Sequence, residues 1–134
     1  MKDIRFRGQR TDGTLVYGPW IEFNINEELS FIGHAVPNQK AYEWEDVLTK
    51  TVGEYTGLQD KERSRFFPHG KDIYEGDVID GNLFDRRIPT RGEVVFDQEH
   101  ACYGSKNLAG ITPLTKIAEI EIIGNKWANP ELLK

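Results

Sequence analysis

The residues able to do chemistry are few and scattered. Three histidines, His34, His69 and His100, stand far apart. None belongs to a His-x-x-x-His or Glu-x-x-His pattern, the spacing that sets two ligands on one helical face. A metal centre would have to be assembled by folding. The single cysteine, Cys102, lies two residues from His100, but so close a nucleophile and base rarely reach each other, and an inert thiol is the expectation. Glu75 and Asp77 would share one side of an extended chain, as an acid–base pair or a cation site requires. No third acidic residue at a recognisable spacing completes a ligand set. Turn chemistry accounts for the pair more simply. In Tyr74-Glu75-Gly76-Asp77-Val78, glycine supplies a backbone angle other residues resist, and aspartate bonds the turn backbone. Gly104-Ser105-Lys106 lacks the earlier glycine of a phosphate loop, and no Gly-x-Ser-x-Gly occurs. These residues lead to no enzyme, no cofactor and no metal.

Two basic segments carry the other candidate chemistry. Lys61, Arg63, Arg65, His69 and Lys71 crowd one of them, with Phe66 and Phe67 among them, and Arg86, Arg87 and Arg91 crowd another. Cations interleaved with aromatic rings are how single strands and RNA are held. Arg63, Arg65, Phe66, Phe67, Lys71, Arg86, Arg87 and Arg91 are therefore candidate contacts for nucleic acid or a partner. Glu62, Asp72, Glu75 and Asp85 dilute that charge, and the formal net charge of −5 opposes attraction to a polyanion. The plainer alternative is a pair of solvated loops, with Phe66 and Phe67 folded back onto the core.

The elements that must position these residues follow from length and pattern. At 134 residues the chain fits one compact domain or two small subdomains. Three Trp, five Tyr and seven Phe can bury large areas. One cysteine permits no intramolecular disulfide and fits a reducing compartment. Met1 to Arg7 has no signal-like apolar run, and no segment approaches the roughly 20 apolar residues of a membrane span. A soluble cytoplasmic protein without a membrane partner is the expectation.

Thr11-Asp12-Gly13 between alternating runs predicts a hairpin of residues 2–9 and 14–18. Further strands are expected over 20–25 and 51–55, with Thr56-Gly57 ending the latter; 30–36 reads as strand or extended loop, and 41–49 fits period two at first and then a helix, with a strand preferred over 41–46. Residues 59–71 read as an exposed loop. Val78-Ile79, Glu93 to Phe96 and Ile117 to Ile123 are strand candidates divided by glycine turns, a pattern of a small, strongly curved sheet or barrel. Asn129-Pro130 reads as an N-cap followed by one helical turn. Trp20, Trp44 and Trp127 are expected as core or interface anchors, with Trp127 pinning the C-terminal turn. Curved sheets of this size leave edges, which self-association would remove.

Tyr55-Thr56-Gly57-Leu58-Gln59-Asp60-Lys61, followed by Gly70-Lys71-Asp72-Ile73-Tyr74-Glu75-Gly76-Asp77-Val78, resembles the signature of the YopX family, small proteins of phages and prophages. Ile4 to Arg7, Ile123-Gly124-Asn125 and Asn129 to Leu133 resemble the family's two ends, so the similarity runs through nearly the whole chain. One departure stands out. Where the family turns tightly through Asn-Gly, this chain carries Glu62 to His69. The resemblance implies a mixed, mostly β protein whose C-terminal half is a small β-barrel of Src-homology type; with the loop 59–71 read as a soft boundary, the expectation is an α+β, predominantly β fold with an N-terminal antiparallel sheet subdomain over residues 1–60 and that barrel over 61–134. It implies no activity and carries over no catalytic or binding residue. The functional expectation is a non-enzymatic phage accessory protein of the host cytoplasm that binds a protein partner, phage or host, and forms homo-oligomers. The alternative is nucleic-acid binding through the basic loops 61–71 and 86–91.

Overall fold

A computed structural model describes residues 3–62, 69–84 and 87–134. The chain divides into two compact units, Met1–Tyr55 and Thr56–Lys134.

In the first unit, β1 (Phe6–Gln9) and β2 (Leu15–Gly18) form the expected hairpin, with Phe6 opposite Gly18 and Gln9 opposite Leu15. Its turn closes on Asp12, whose Oδ1 accepts the Thr14 N–H at 2.9 Å and the Thr14 hydroxyl at 2.7 Å. A second antiparallel sheet runs β3 (Trp20–Glu22), β4 (Leu29–Ala35), β5 (Tyr42–Leu48). The two sheets bury Val16, Ile32 and Val47 between them, with Phe6, Ile21 and Val52 packed around this core. Glycine makes the approach possible: a Cβ at Gly8 would lie 2.8 Å from Val47 Cβ, well inside the 3.5–4.0 Å of carbon contact. Strand β6 (Gly53–Gln59) begins beside β1, where Gly53 and Glu54 face Arg7 and Phe6.

Strand β6 runs on through Thr56 and Gly57 into the second unit, where it neighbours β7 (Asp72–Tyr74). Gly57 does not end it; its φ of +87° is absorbed within the strand. Next come β8 (Asp77–Leu83), β9 (Pro89–Asp97), β10 (Cys102–Asn107), β11 (Gly110–Pro113) and β12 (Ile117–Asn125). They form one antiparallel sheet in the order β11-β10-β9-β8-β12. Ile73, Ile79, Val94, Leu114, Ile117 and Ile120 make its core. Strand β12 shifts register twice against β8, and Glu119 takes a φ of +56° between those pairings. Such irregularities bend a strand.

Two expectations are met only in their coarser form. Among the described residues the helical segments are three 3-10 turns, Thr49–Thr51, Leu114–Lys116 and Pro130–Leu133, so the chain is predominantly β rather than α+β. Nor does the second sheet close into a barrel: among the described pairings β11 and β12 do not meet. The outer edge of β12 is taken instead. The Lys61 N–H donates to the Ile120 carbonyl at 2.7 Å, and the Ile122 N–H to Asp60 Oδ2 at 3.2 Å. Asp60 is thus no exposed loop residue. It is buried, and its Oδ1 also accepts the N–H groups of Glu62 (3.0 Å) and Lys71 (2.9 Å).

Candidate binding surfaces

Of the eight candidate contacts, Arg63, Arg65, Phe66, Phe67 and Arg86 lie outside the described residues. The other three sit among carboxylates or in a turn. Lys71 Nζ is 2.9 Å from Glu62, whose bond raises the lysine pKa. Arg91 grips Asp80 with two nitrogens, at 2.6 and 3.0 Å. Arg87 is exposed in the β8–β9 connection, where its N–H donates to the Leu83 carbonyl at 2.8 Å. A shallow depression of about 370 Å³ includes Lys61, Asp80, Arg91, Glu119 and Glu121 in its wall. Lys61 pairs there with Glu121 at 3.6 Å. Both lysines and Arg91 are thus balanced by carboxylates, which weakens any field for a polyanion.

Glu75 and Asp77 stand in the β7–β8 turn. Gly76 has a φ of +91°, and buried Asp77 accepts the Tyr74 N–H on Oδ2 at 2.8 Å. The Gly76 carbonyl accepts the Lys126 N–H at 2.9 Å. The indole of Trp127 lies so close that a methyl on Gly76 would overlap it. Trp127 is therefore an anchor, holding the C-terminal segment onto this turn. Asn129 precedes the last 3-10 turn without capping it; its Oδ1 accepts the Asn125 N–H at 3.3 Å instead.

Folding brings two histidines beside carboxylates. His34, Glu43 and Glu45 place their ligand atoms within 4.8 Å of one another, as do Asp97, Glu99 and His100. In the first group Glu45 is ion-paired with Arg10, a cation that would oppose a second one. In the second, His100 Nδ1 and Asp97 Oδ2 bond at 2.8 Å on an exposed turn between β9 and β10. That bond raises the His100 pKa and lowers that of Asp97. Internal pairing accounts for both groups.

Of the two expectations for Trp20 and Trp44, core or interface anchor, the sheet β3-β4-β5 removes the first. Ile32 and Val47 point into the core. Side chains alternate along a strand, so Trp20, Glu22, Phe31, Gly33, Tyr42, Trp44 and Asp46 lie on the other face. That face is open: Trp20 is 40%, Trp44 52% and Tyr42 67% exposed. Trp20 and Trp44 are not core residues. They flank Gly33 in one cross-strand row, Trp20 opposite Gly33 and Gly33 opposite Trp44. A Cβ at Gly33 would sit 3.1 Å from the Trp44 indole, so glycine lets that ring lie flat on the sheet. Trp20 meets Tyr42 edge to face, with centroids 4.8 Å apart at 83°. In the neighbouring row, Glu22 and Asp46 stand on either side of Phe31.

Among the described residues no helix is long and apolar enough to cross a membrane. No curated protein and no solved structure matches the chain significantly. The YopX protein family matches residues 5–134, nearly the whole chain. Turn Tyr74–Asp77 and the Asp60 clasp are the structural use of residues that carry the resemblance, and the chain belongs to the YopX family.

Proposed function

We propose that this protein is a non-enzymatic binding module, a phage or prophage accessory protein of the host cytoplasm, and that it engages a protein partner through the outer face of β3-β4-β5. The observation that carries the reading is the open aromatic row of Trp20, Trp44 and neighbouring Tyr42. Rigid aromatic side chains dominate the energetics of protein interfaces, and contiguous exposed apolar surface marks interaction sites. The test is selection of random peptides on the intact protein, with counter-selection on Trp20→Ser/Tyr42→Ser/Trp44→Ser. Enriched peptides that bind the protein and not the variant are expected. Equal binding to both, or no enrichment, would refute the reading.

The alternative, nucleic-acid binding through loops 61–71 and 86–91, is tested by mobility shift of short oligonucleotides as salt is raised; no shift at low salt removes it. The carboxylates on Lys71 and Arg91 favour the protein partner. Self-association is proposed through the open edge of β5; sedimentation as a monomer at high concentration would dismiss it. For the second unit, the finer reading of a partly open small barrel of Src-homology type draws support from the five-stranded order, the bent β12 and the 3-10 turn Leu114–Lys116 between β11 and β12.

A further inference from the structure

We infer that the occupant of the β3-β4-β5 face is a cationic polypeptide segment, whose lysine or arginine side chains lie over the Trp20 and Trp44 rings with their charged heads against Glu22 and Asp46. The inference rests on the docking reading above and adds the chemistry of the partner.

Charge is the first argument. Between Trp20 and Leu48 stand six carboxylates, Glu22, Glu27, Glu28, Glu43, Glu45 and Asp46, against one lysine, Lys40. Glu22 and Asp46 enter no ion pair among the described residues. Arg10, the nearby cation, is ion-paired with Glu45. Arg10 also acts on Asp46 at longer range, but six carboxylates against Lys40 and Arg10 leave this region net acidic, which repels phosphate and attracts positive charge.

Geometry is the second argument. Each edge strand carries the same pair two residues apart on the outer face: Trp20 with Glu22 on β3, and Trp44 with Asp46 on β5. Two residues along a strand span about 7 Å, and two strand spacings about 10 Å. The first distance suits a basic side chain whose stem lies on an indole while its head reaches a carboxylate. Tryptophan is the best ring for a cation held within about 6 Å of its centroid. Gly33 lets the Trp44 ring lie flat over the middle strand, so that ring turns one face outward to a cation. The second distance separates the Glu22 and Asp46 positions on the two edge strands, so two such cations would set their heads about 10 Å apart.

The test uses the intact protein labelled with ¹⁵N and three capped seven-residue probes: alternating arginine and serine, the same with citrulline for arginine, and the same with glutamate. Citrulline keeps the shape of arginine without its charge, with a carbonyl oxygen in place of one NH2 group. At low ionic strength the arginine probe is expected to shift the indole N–H signals of Trp20 and Trp44. The citrulline probe should bind at least about tenfold more weakly, and the glutamate probe not at all. Trp44→Ser and Glu22→Gln/Asp46→Asn should each weaken the arginine probe at least about threefold while leaving the urea midpoint unchanged. Equal binding of arginine and citrulline overturns the cationic inference and leaves docking intact, because that comparison needs no variant. Arginine binding that ignores both variants, or no binding of any probe, overturns it as well. Failure of the docking reading itself shows separately, as peptide selections that do not distinguish the aromatic variant.

Discussion

Replacing Gly76 by alanine separates two roles that this glycine plays. The first is conformational. At a φ of +91°, an L-residue loses roughly 1–2 kcal/mol, partly offset by the 0.4–1 kcal/mol that alanine gains by restricting the unfolded chain. The second is spatial, because the new methyl would overlap the Trp127 indole. Relieving such an overlap moves the ring or the turn, at about 1–3 kcal/mol. The total expected loss is about 1–4.6 kcal/mol for the second unit. Gly13 supplies the internal standard. Its φ is +93°, yet the nearest atom a Cβ would meet is Gln9 Nε2 at 3.6 Å, so Gly13→Ala carries the conformational part alone, about 1 kcal/mol or less. Urea unfolding followed by far-ultraviolet circular dichroism gives both values. A double-mutant cycle then isolates the contact: in a Trp127→Ala background, Gly76→Ala should cost only what Gly13→Ala costs. Additivity of Gly76→Ala and Trp127→Ala within about 0.5 kcal/mol would refute the claim that the indole and this turn are one packed unit.

Three further outcomes follow from the same geometry. Gly8→Ala forces a methyl to within 2.8 Å of Val47 and should destabilise the first unit by about 1–3 kcal/mol, read by urea unfolding; a neutral result would mean the two sheets are not in close contact at this point. Asp60→Ala strips the acceptor from the N–H groups of Glu62, Lys71 and Ile122 and should lower the stability of the second unit by about 3 kcal/mol; amide exchange at those three positions that stays as slow as before would contradict the clasp. His100 should titrate above the ordinary 6.5, because its bond to Asp97 favours the charged ring. The small stabilisation from that bond is present below 6.5 and fades as pH rises through the raised His100 pKa; at the acid end it fades as pH falls through the lowered Asp97 pKa. Histidine chemical shifts measured against pH give the midpoint, and Asp97→Asn should bring it down; an unchanged midpoint would rule out the pairing.

What could be read from the sequence were features with local causes. Asp12-Gly13 announced its hairpin because the turn is made by the residues that spell it. Gly76-Asp77 announced its turn for the same reason. The β-branched run of Ile117 to Ile123 gave strand over helix. Strands β10 and β11 escaped notice because Cys102 to Asn107 and Gly110 to Pro113 carry little apolar alternation. They are held by ladder bonds to β9 and to each other, an interaction that leaves no local signature. Asp60 escaped as a buried residue because two of its partners, Lys71 and Ile122, lie 11 and 62 residues away. The openness of the second sheet was equally hidden, since it depends on Asp60 and Lys61 taking the edge of β12.

The aromatic face was half visible, and the missing half is one bit of information. In Tyr42-Glu43-Trp44-Glu45-Asp46-Val47 the apolar residues fall on both parities of a strand: Tyr42 and Trp44 on one, Val47 on the other. An alternating strand cannot bury both sets. Large rings suggest the core, and on that assumption Val47 would face solvent. The register decides otherwise. Val47 lies opposite Ser30, whose buried hydroxyl accepts the Asn24 N–H at 3.0 Å and bonds Thr49 at 2.8 Å. Val47 also fills the space left by Gly8. A small polar residue and a glycine, remote in sequence, leave room for a valine and none for an indole. Trp44 is therefore turned outward by what surrounds Val47, and Tyr42 goes with it. The acids of the opposite parity, Glu43 and Glu45, then meet His34 and Arg10, while Asp46 stays beside the rings. The same one-residue parity that builds the core thus sets aromatic rings and unpaired acids on one open surface, which is the combination a cationic partner would require.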